Sequence, residues 1–407
     1  MLYSLYLGRH GTVGLPERAD AGGAGLLPFG APLLQAPGRR NDVGAQRSHI
    51  ALRVLVAILL NWILLPLPPG NTLELAASKS VFGQDRFIAL PARAPAKEQP
   101  DASPKTKTLI VVLDGVRSEE IFIGAWPWAA KRSRRLNARY LLPFLWQNLA
   151  RRPGSLVLGN RWFYKHHQGC SIDNPSGRSL PAYSNMLGSA VQSNVIKNDF
   201  RGVIEHPGVL DTVRRSSQTR NRPAPWAVFA SWQPIANVVS QNPDSRVHID
   251  TGWQRGLAKP PWHHARYDRD TWLAVRKWIH NTPEWEYLFV AFNDTDEWGH
   301  FGAYQRYLRA LQDQDRYIGD IVRLIEQETG AEQLNVLITT DHGRGRGRYW
   351  RQHGTWLRGP RHIWLMAHLS AHSGLDDALR QNISEQLRNK CTHNTIARIS
   401  AALLSRD

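Results

Sequence analysis

Short apolar runs recur from residue 108 onward and form the clearest pattern along the chain. Five of them are nearly continuous and rich in branched side chains: TLIVVLD (108–114), WAVFAS (226–231), YLFVAFN (287–293), LNVLITTD (334–341) and HIWLMA (362–367). Strands of a parallel sheet have this composition, because helices cover both of their faces. The runs therefore predict strands at the centre of an α/β domain.

One long segment repeats its apolar residues with the helical period. The spacings are three and four residues, at Tyr304, Tyr307, Leu308, Leu311, Ile318, Val322 and Ile325. This pattern predicts a helix from about Ala303 to Glu328, which Gly330 ends. Strands that alternate with helices favour an α/β fold with a mostly parallel central sheet sandwiched by helices.

The first hundred residues have a different organisation. Residues 1–46 are rich in Gly, Ala, Pro and Leu without a period, which predicts an unstructured extension or one from a start codon placed too far upstream. Residues 47–77 order basic, apolar and small residues as a secretory signal peptide does. The apolar run 54–67 is shorter than the roughly 20 residues of a spanning helix, and an uncleaved membrane anchor is the alternative. Residues 78–106 predict a linker. The protein is therefore expected to be exported, either periplasmic or secreted.

The remaining residues, 107–407, are predicted to form the catalytic domain. Within it, residues 198–285 contain many Trp, Pro and Arg and are predicted to be a cap insertion that selects substrate. An apolar share of 42% and 16 tryptophans exclude global disorder. The two cysteines, Cys170 and Cys391, are equally consistent with a disulfide and with two buried thiols.

The formal net charge of +17 favours anionic partners. Phosphate esters, polyanions and an anionic membrane surface all satisfy it, and we expect no specific nucleic-acid partner. An arginine-rich proteome explains the same charge equally well.

Acidic residues follow three of the predicted strands. Asp114 ends the first run, Asp296 comes four residues after another, and Asp341 ends a third. Carboxyl ends of parallel strands meet at one edge of a sheet, where ligands bind. Any one of these aspartates could simply cap a helix or turn. The adjacent His300 and His342 shift the balance towards a metal site.

Mixed carboxylate and imidazole ligands suit Zn²⁺, or alternatively Mn²⁺, better than Mg²⁺ or Ca²⁺. The three aspartates and two histidines named above are five ligands, which is too many for one tetrahedral ion, so we predict two divalent ions. His353, in RQHGTW, is the natural further ligand. A nucleophile that a metal ionises would complete the set.

The motifs VLDGVR, RSLPAYSNMLG, DTDEWGH, TTDHGRG and QHGTW together resemble the alkaline phosphatase superfamily. The likeness is greatest to its type I phosphodiesterase/nucleotide pyrophosphatase branch and the sulfatase-like relatives, over roughly residues 107–404. It implies an alkaline-phosphatase-like fold and Ser179 as the nucleophile, which forms a phospho-serine intermediate. The implied ligands are Asp114, Ser179, Asp341 and His342 for one metal, and Asp296, His300 and His353 for the second.

The chain departs from the family pattern beside the nucleophile. Ala182 stands where the nucleotide pyrophosphatases usually have an Asn that steadies a phosphoryl oxygen. Asn160 and Asn185 are the candidates to replace it. Arg178 and Arg344 are candidates to bind the remaining phosphate charge, since guanidinium groups pair with phosphate through two hydrogen bonds.

These observations predict a secreted two-metal hydrolase of small anionic phosphate esters, similar to the phosphodiesterases. Sulfatase-like activity is one alternative, although Tyr183 stands where sulfatases need an Arg. Phosphomonoesterase or phosphomutase activity on the same metals is another, but no inserted second domain is evident between Ser179 and Asp296. A catalytically silent, polyanion-binding relative is the alternative outside enzymes, and the complete set of ligands disfavours it.

Overall fold

The protein is described from a computed structural model. It describes residues 106–126, 137–160, 169–187, 196–202, 225–239, 247–252, 265–329, 333–354, 356–371 and 375–404. The predicted N-terminal extension, the predicted signal peptide or anchor, and all of the predicted linker except Thr106 lie outside these residues.

A seven-stranded sheet runs through the part of the chain that is described. Its strands are β1 (Lys107–Leu113), β2 (Leu156–Leu158), β3 (Trp226–Ala230), β4 (Val247–Asp250), β5 (Tyr287–Phe292), β6 (Leu334–Thr339) and β7 (Leu365–His368). They lie in the order β2-β7-β6-β1-β5-β3-β4. The five strands from β6 to β4 pair in parallel, whereas β7 is antiparallel to both of its neighbours. The predicted, mostly parallel sheet is confirmed.

Helices cover both faces of this sheet. They are α1 (Ser118–Phe122), α2 (Ala138–Leu141), α3 (Ser179–Leu187), α4 (Asp268–Asn281), α5 (Asp294–Phe301), α6 (Tyr304–Thr329), α7 (Asp377–Asn389) and α8 (His393–Leu404). Leu109 and Val111 of β1 pack in one apolar cluster with α4 and α6. Ile110 and Val112, which point the other way, pack with α3, α7 and α8. Because both faces are buried, the strands are apolar at successive positions.

Some elements differ from the prediction. In the run HIWLMA only the residues from Leu365 onward are in a strand of this sheet, because His362 forms an isolated bridge with Ser171 and the Ile363 N–H donates to the Cys170 carbonyl. The sequence pattern did not predict the strand β4. This strand lies at the edge of the sheet with His248 and Ile249 exposed, so it has no continuous apolar run. The α6 helix matches its prediction within one residue at each end.

The predicted cap insertion is only partly described. Its described part between residues 225 and 285 supplies β3, β4 and α4, which belong to the sheet and to the layer packed on it. Residues 203–224, 240–246 and 253–264 lie outside the described residues, so the cap stays a prediction for them. Within the described ranges, none of the helices combines the length and apolar character that a membrane span requires.

A disulfide joins Cys170, upstream of α3, to Cys391, which lies two residues before α8. Both cysteines are buried, and their Cα atoms are 4.6 Å apart. Of the two interpretations that the sequence left open, the structure has the paired one.

Replacing both cysteines with serine is expected to lower the free energy of unfolding by about 2–5 kcal/mol, the usual cost of losing a native disulfide. The reason is that the bond closes a loop of 221 residues and so restricts the unfolded chain. Urea unfolding of the oxidised parent and the double variant measures the difference. A reductant should destabilise the parent and leave the double variant unchanged. Equal stability of the oxidised and reduced parent would contradict the prediction.

Candidate metal centre and nucleophile

The acidic and histidine side chains singled out in the sequence converge at the carboxyl edge of the sheet. Asp114 follows β1 directly, and Asp341 lies two residues past β6, its neighbour in the sheet. The helix α5 begins after β5, on the other side of β1. These side chains form two groups, and within each group the candidate ligand atoms lie within 4.8 Å of one another. The first group consists of Asp114, Asp341 and His342, and the second of Asp296, His300 and His353.

The first group has a carboxylate oxygen that lacks a donor. Asp341 Oδ1 accepts the backbone N–H groups of Gly115 (2.9 Å) and His342 (2.8 Å). Asp341 Oδ2 is buried and has no hydrogen-bond partner among the described residues. His342 Nδ1 lies 2.9 Å from the Gly343 carbonyl, so this nitrogen carries the proton and Nε2 keeps a lone pair. That Nε2 lies 3.4 Å from Asp341 Oδ2 and 3.7 Å from Asp114 Oδ1. A divalent cation would satisfy all three atoms.

The second group brings two imidazole nitrogens together. His353 Nδ1 lies 3.1 Å from the Gly177 carbonyl, which assigns the proton to this nitrogen and leaves the Nε2 lone pair free. His353 Nε2 is 2.9 Å from His300 Nε2, and that atom is 3.1 Å from Asp296 Oδ2. A cation or a proton between these atoms would offset the repulsion of their lone pairs.

Burial puts the two buried imidazoles into the neutral form that binds metals. It lowers the pKa of His342 to about 4, and together with the His342 charge it lowers the pKa of His353 to about 3. Both imidazoles are therefore neutral at pH 7. Burial, followed by the nearby Asp296 charge, raises the pKa of Asp341 to about 6. Burial and the Asp341 charge raise the pKa of Asp114 well above its usual value. These carboxylates crowd negative charge that a divalent ion would offset.

Ser179 is the first residue of α3, and it is buried beside the first group. Its Oγ lies 3.1 Å from His342 Nε2 and 3.5 Å from Asp114 Oδ1. The His342 and His353 rings stack with centroids 3.9 Å apart, which places the second group next to the first. The start of a helix also stabilises negative charge at such a hydroxyl.

The start of α5 is fixed by Asp268, the first residue of α4. Its Oδ1 accepts the Asn293 N–H at 2.7 Å, and its Oδ2 accepts the Asp294 N–H at 3.0 Å. Ser231 and Gln314 donate to the same carboxylate at 2.7 and 2.9 Å. These contacts satisfy backbone N–H groups that a helix start leaves unpaired, and they orient the helix that carries two of the second group's side chains.

Two glycines of the motifs allow close approach around the site. Gly115 has φ +67°, and a Cβ there would lie 2.4 Å from Asp296 Oδ1. A Cβ on Gly299 would lie 2.4 Å from Arg344 Cζ. Any other residue at either position would displace the neighbouring charged group.

Arg344 lies behind the site, and this corrects the prediction that it binds substrate. Its side chain is almost fully buried, and each of its three nitrogens donates to the protein. Nε donates to the Trp350 carbonyl (3.0 Å), Nη2 to the Arg351 carbonyl (2.9 Å), and Nη1 forms an ion pair with Asp296 Oδ1. Burial alone would raise the pKa of Asp296, but His300 and Arg344 hold it well below its usual value. Arg344 thus orients Asp296, whose Oδ2 faces His300.

The other substrate candidates keep their predicted roles with different degrees of support. Arg178 is exposed directly beside Ser179, where a phosphate could reach it. Asn160 follows β2, which is separated from β1 by β7 and β6, and its role stays a prediction. Asn185 donates to Asp173 at 3.3 Å, away from the two groups.

Sequence reasoning missed one contact of the first group. The Tyr183 hydroxyl donates to Asp114 Oδ2 at 3.1 Å. Burial and the Asp114 charge raise the pKa of Tyr183 well above its usual value, so the phenol keeps its proton. The available signal was the spacing: Tyr183 follows Ser179 by four residues and so shares its face of the helix.

Replacing Arg344 with methionine is expected to destabilise the metal-free protein by about 3–5 kcal/mol, because the buried Asp296 loses the guanidinium that pairs with its Oδ1. The loss of stability should be smaller in buffer that contains zinc than in buffer that contains a chelator, since a cation beside Asp296 would offset the charge that Arg344 offsets in the parent. Urea unfolding under both conditions measures this. The matched control is Arg316→Met, whose guanidinium pairs with Asp313 at the surface; it should change stability by less than about 0.5 kcal/mol. Equal losses in the two variants would contradict the prediction.

The sheet and the two converging groups define an α/β protein with a candidate two-metal site. The chain belongs to the type I phosphodiesterase / nucleotide pyrophosphatase family, whose sequence profile matches residues 151–399, more than half of the chain. The resemblance predicted from the motifs is thereby confirmed. Asp114 precedes the matched range, and it is the structure that brings this residue to the other ligands. No curated protein sequence matches the chain.

Solved structures with distant similarity include two transferase domains. The C-terminal periplasmic domain of phosphoethanolamine transferase EptC from Campylobacter jejuni is 9% identical, with a TM-score of 0.45 over 74% of this chain and 89% of that one. The soluble domain of lipooligosaccharide phosphoethanolamine transferase A from Neisseria meningitidis is 15% identical, with a TM-score of 0.44 over 76% and 90%. Murine ectonucleotide pyrophosphatase / phosphodiesterase 5 is 15% identical, with a TM-score of 0.34 over 58% and 57%.

Proposed function

We propose that the protein hydrolyses phosphate esters with Ser179 as the nucleophile and two divalent metal ions, zinc in the first instance. The observation that carries the proposal is the convergence of two Asp/His groups beside a buried serine at the start of a helix. Family membership supports the reaction class. The Asp341 oxygen without a donor and the facing imidazole nitrogens support the metals.

The proposed reaction has two steps. Ser179 Oγ forms a bond to phosphorus while the bond to the leaving oxygen breaks and that oxygen takes up a proton. Water then cleaves the phospho-serine and restores the hydroxyl. Divalent cations held by the two groups would lower the pKa of the serine hydroxyl and offset the charge on the phosphoryl oxygens. We propose that Arg178, which is exposed and adjacent to Ser179 in the chain, binds a remaining phosphate oxygen.

Phosphodiesters are the proposed substrate class. The family supports this choice over sulfate esters. Tyr183 also supports it, because its hydroxyl donates to Asp114 and its position is the one that sulfatases fill with Arg.

The test uses the purified full chain, stripped with a chelator and reloaded with zinc or manganese. Its substrates are bis-p-nitrophenyl phosphate, p-nitrophenyl phosphate and p-nitrophenyl sulfate. We expect the diester to be hydrolysed fastest, the sulfate not at all, and all turnover to stop in chelator. Preferred turnover of the sulfate would overturn the substrate class. Two bound metals without turnover of any ester would instead support the silent, polyanion-binding relative.

We also propose that the protein acts outside the cytoplasm. The disulfide between Cys170 and Cys391 supports this, because such bonds persist in oxidising compartments. The signal-like order of residues 47–77 supports it as well. N-terminal sequencing of protein isolated from its host is expected to find a mature chain that begins near Ser78. Recovery from the membrane fraction with residues 54–67 retained would support the anchor, and residues 1–46 still attached would overturn the signal-peptide interpretation.

A further inference from the structure

The two oxygens of the Asp114 side chain have different surroundings. Asp114 Oδ1 faces the reacting side of the site, 3.5 Å from Ser179 Oγ and 3.7 Å from His342 Nε2. Asp114 Oδ2 faces the opposite way and accepts the hydroxyl of Tyr183 at 3.1 Å. Both Ser179 and Tyr183 come from α3, one helical turn apart, so a single helix contacts both oxygens.

The phenol ring of Tyr183 is held in place by its surroundings. Tyr183 is fully buried, and its ring packs edge-on against Phe289 of β5, with centroids 6.4 Å apart. The backbone of Asp114 is also held, since its N–H donates to the Phe292 carbonyl (2.9 Å) and its carbonyl accepts the Thr295 hydroxyl (2.6 Å). With both ends fixed, the Tyr183 hydrogen bond sets the rotation of the carboxylate between them.

A tyrosine suits this position because it donates a hydrogen bond without adding charge. The first group has two buried carboxylates and a neutral imidazole, whose negative charge attracts a divalent cation. A lysine or arginine at residue 183 would cancel part of that charge. A phenylalanine would leave Asp114 Oδ2 buried without its donor and free to turn towards a cation.

We propose that Tyr183 is a positioning residue, which fixes Asp114 as a single-oxygen ligand of the metal held with Asp341, His342 and Ser179. The hydrogen bond occupies Oδ2 and presents only Oδ1 to the ion. Outer hydrogen bonds of this kind orient metal ligands, and their loss typically weakens metal binding by about 10–100-fold. The inference rests on the proposed two-metal site, but not on which ester is hydrolysed.

The test measures zinc affinity in Tyr183→Phe by competition with a chromophoric chelator. The matched control is Tyr287→Phe, because Tyr287 is an equally buried tyrosine whose hydroxyl has no hydrogen-bond partner in the described part of the chain. Both substitutions are made in the parent protein and in the His300→Ala variant. In that variant we expect only the first group to retain an ion. Tyr183→Phe should lower the zinc affinity of the first group by about 10–100-fold. Tyr287→Phe should leave the zinc affinity of the first group unchanged. In the parent background, neither substitution should change the zinc affinity of the second group.

A double-mutant cycle separates positioning from a general effect on folding. If Tyr183 acts through Asp114, then adding Tyr183→Phe to Asp114→Ala should cause no further loss of zinc affinity. The proposal would be overturned if Tyr183→Phe and the parent bound zinc equally well. It would also be overturned if Tyr183→Phe lowered the zinc affinity of both groups equally, or if the losses of affinity in the double-mutant cycle were additive. A parent that binds two zinc ions but hydrolyses no ester would defeat the proposed function, while the affinities would still decide the role of Tyr183.

Discussion

Replacing Ser179 with alanine is expected to reduce phosphoester turnover by about 10³–10⁶-fold, the range that follows loss of a catalytic nucleophile. Both metal ions should stay bound, because three Asp and three His side chains remain in the two groups. Steady-state kinetics with the preferred ester and metal analysis of the same sample measure the two results. Ser179→Thr should keep partial activity, since the threonine hydroxyl can occupy the same position.

The control for this prediction is Ser176→Ala. Ser176 precedes Ser179 in the same loop, but its hydroxyl bonds to Asn174 at 2.9 Å and not to the converging side chains. Turnover in this variant should stay within about twofold of the parent, since surface changes away from the site have small effects. If Ser179→Ala hydrolyses esters at the parental rate, Ser179 is not the nucleophile and the roles of the surrounding residues must be reassigned.

Removing one ligand from each group should empty one metal site at a time. His300→Ala is expected to lose the ion held by Asp296 and His353, and Asp341→Ala the ion held by Asp114 and His342. Elemental analysis should then find one metal per chain in place of two. Turnover should fall by more than about 10²-fold in both variants, since even outer-shell changes often cost 10–100-fold.

His280→Ala serves as the histidine control for the metal count, because His280 lies near the end of α4 and belongs to neither group. It should retain two metals and parental turnover. Two ions in His300→Ala, or an unchanged count in Asp341→Ala, would contradict the assignment of ligands to two sites. A parent without metal after reloading with zinc would contradict the two-metal proposal as a whole.

The order of secondary structure was largely determined by the sequence, since the apolar side chains themselves carry the pattern. Strands buried on both faces must be apolar throughout, which identified β1, β3, β5 and β6. The α6 helix showed its buried face through its period. The exposed edge strand β4 gave no such signal, and the antiparallel direction of β7 depends on its pairing with distant β6.

The candidate ligands could be predicted for a related reason. Asp114, Asp296 and Asp341 follow strands whose carboxyl ends meet at one edge, so local sequence and sheet topology were enough to bring them together. The resemblance to a family of phosphodiesterases added Ser179 and the division into two groups.

Only the tertiary structure decided which partners these side chains have. Arg344 was a candidate to bind phosphate, yet it is buried against Asp296, 48 positions away in the chain. Tyr183 donates to Asp114 across 69 positions, and Cys170 pairs with Cys391 across 221. Such contacts depend on how the loops at the ends of the strands pack against one another, and a local pattern of apolar and polar residues contains no information on that packing.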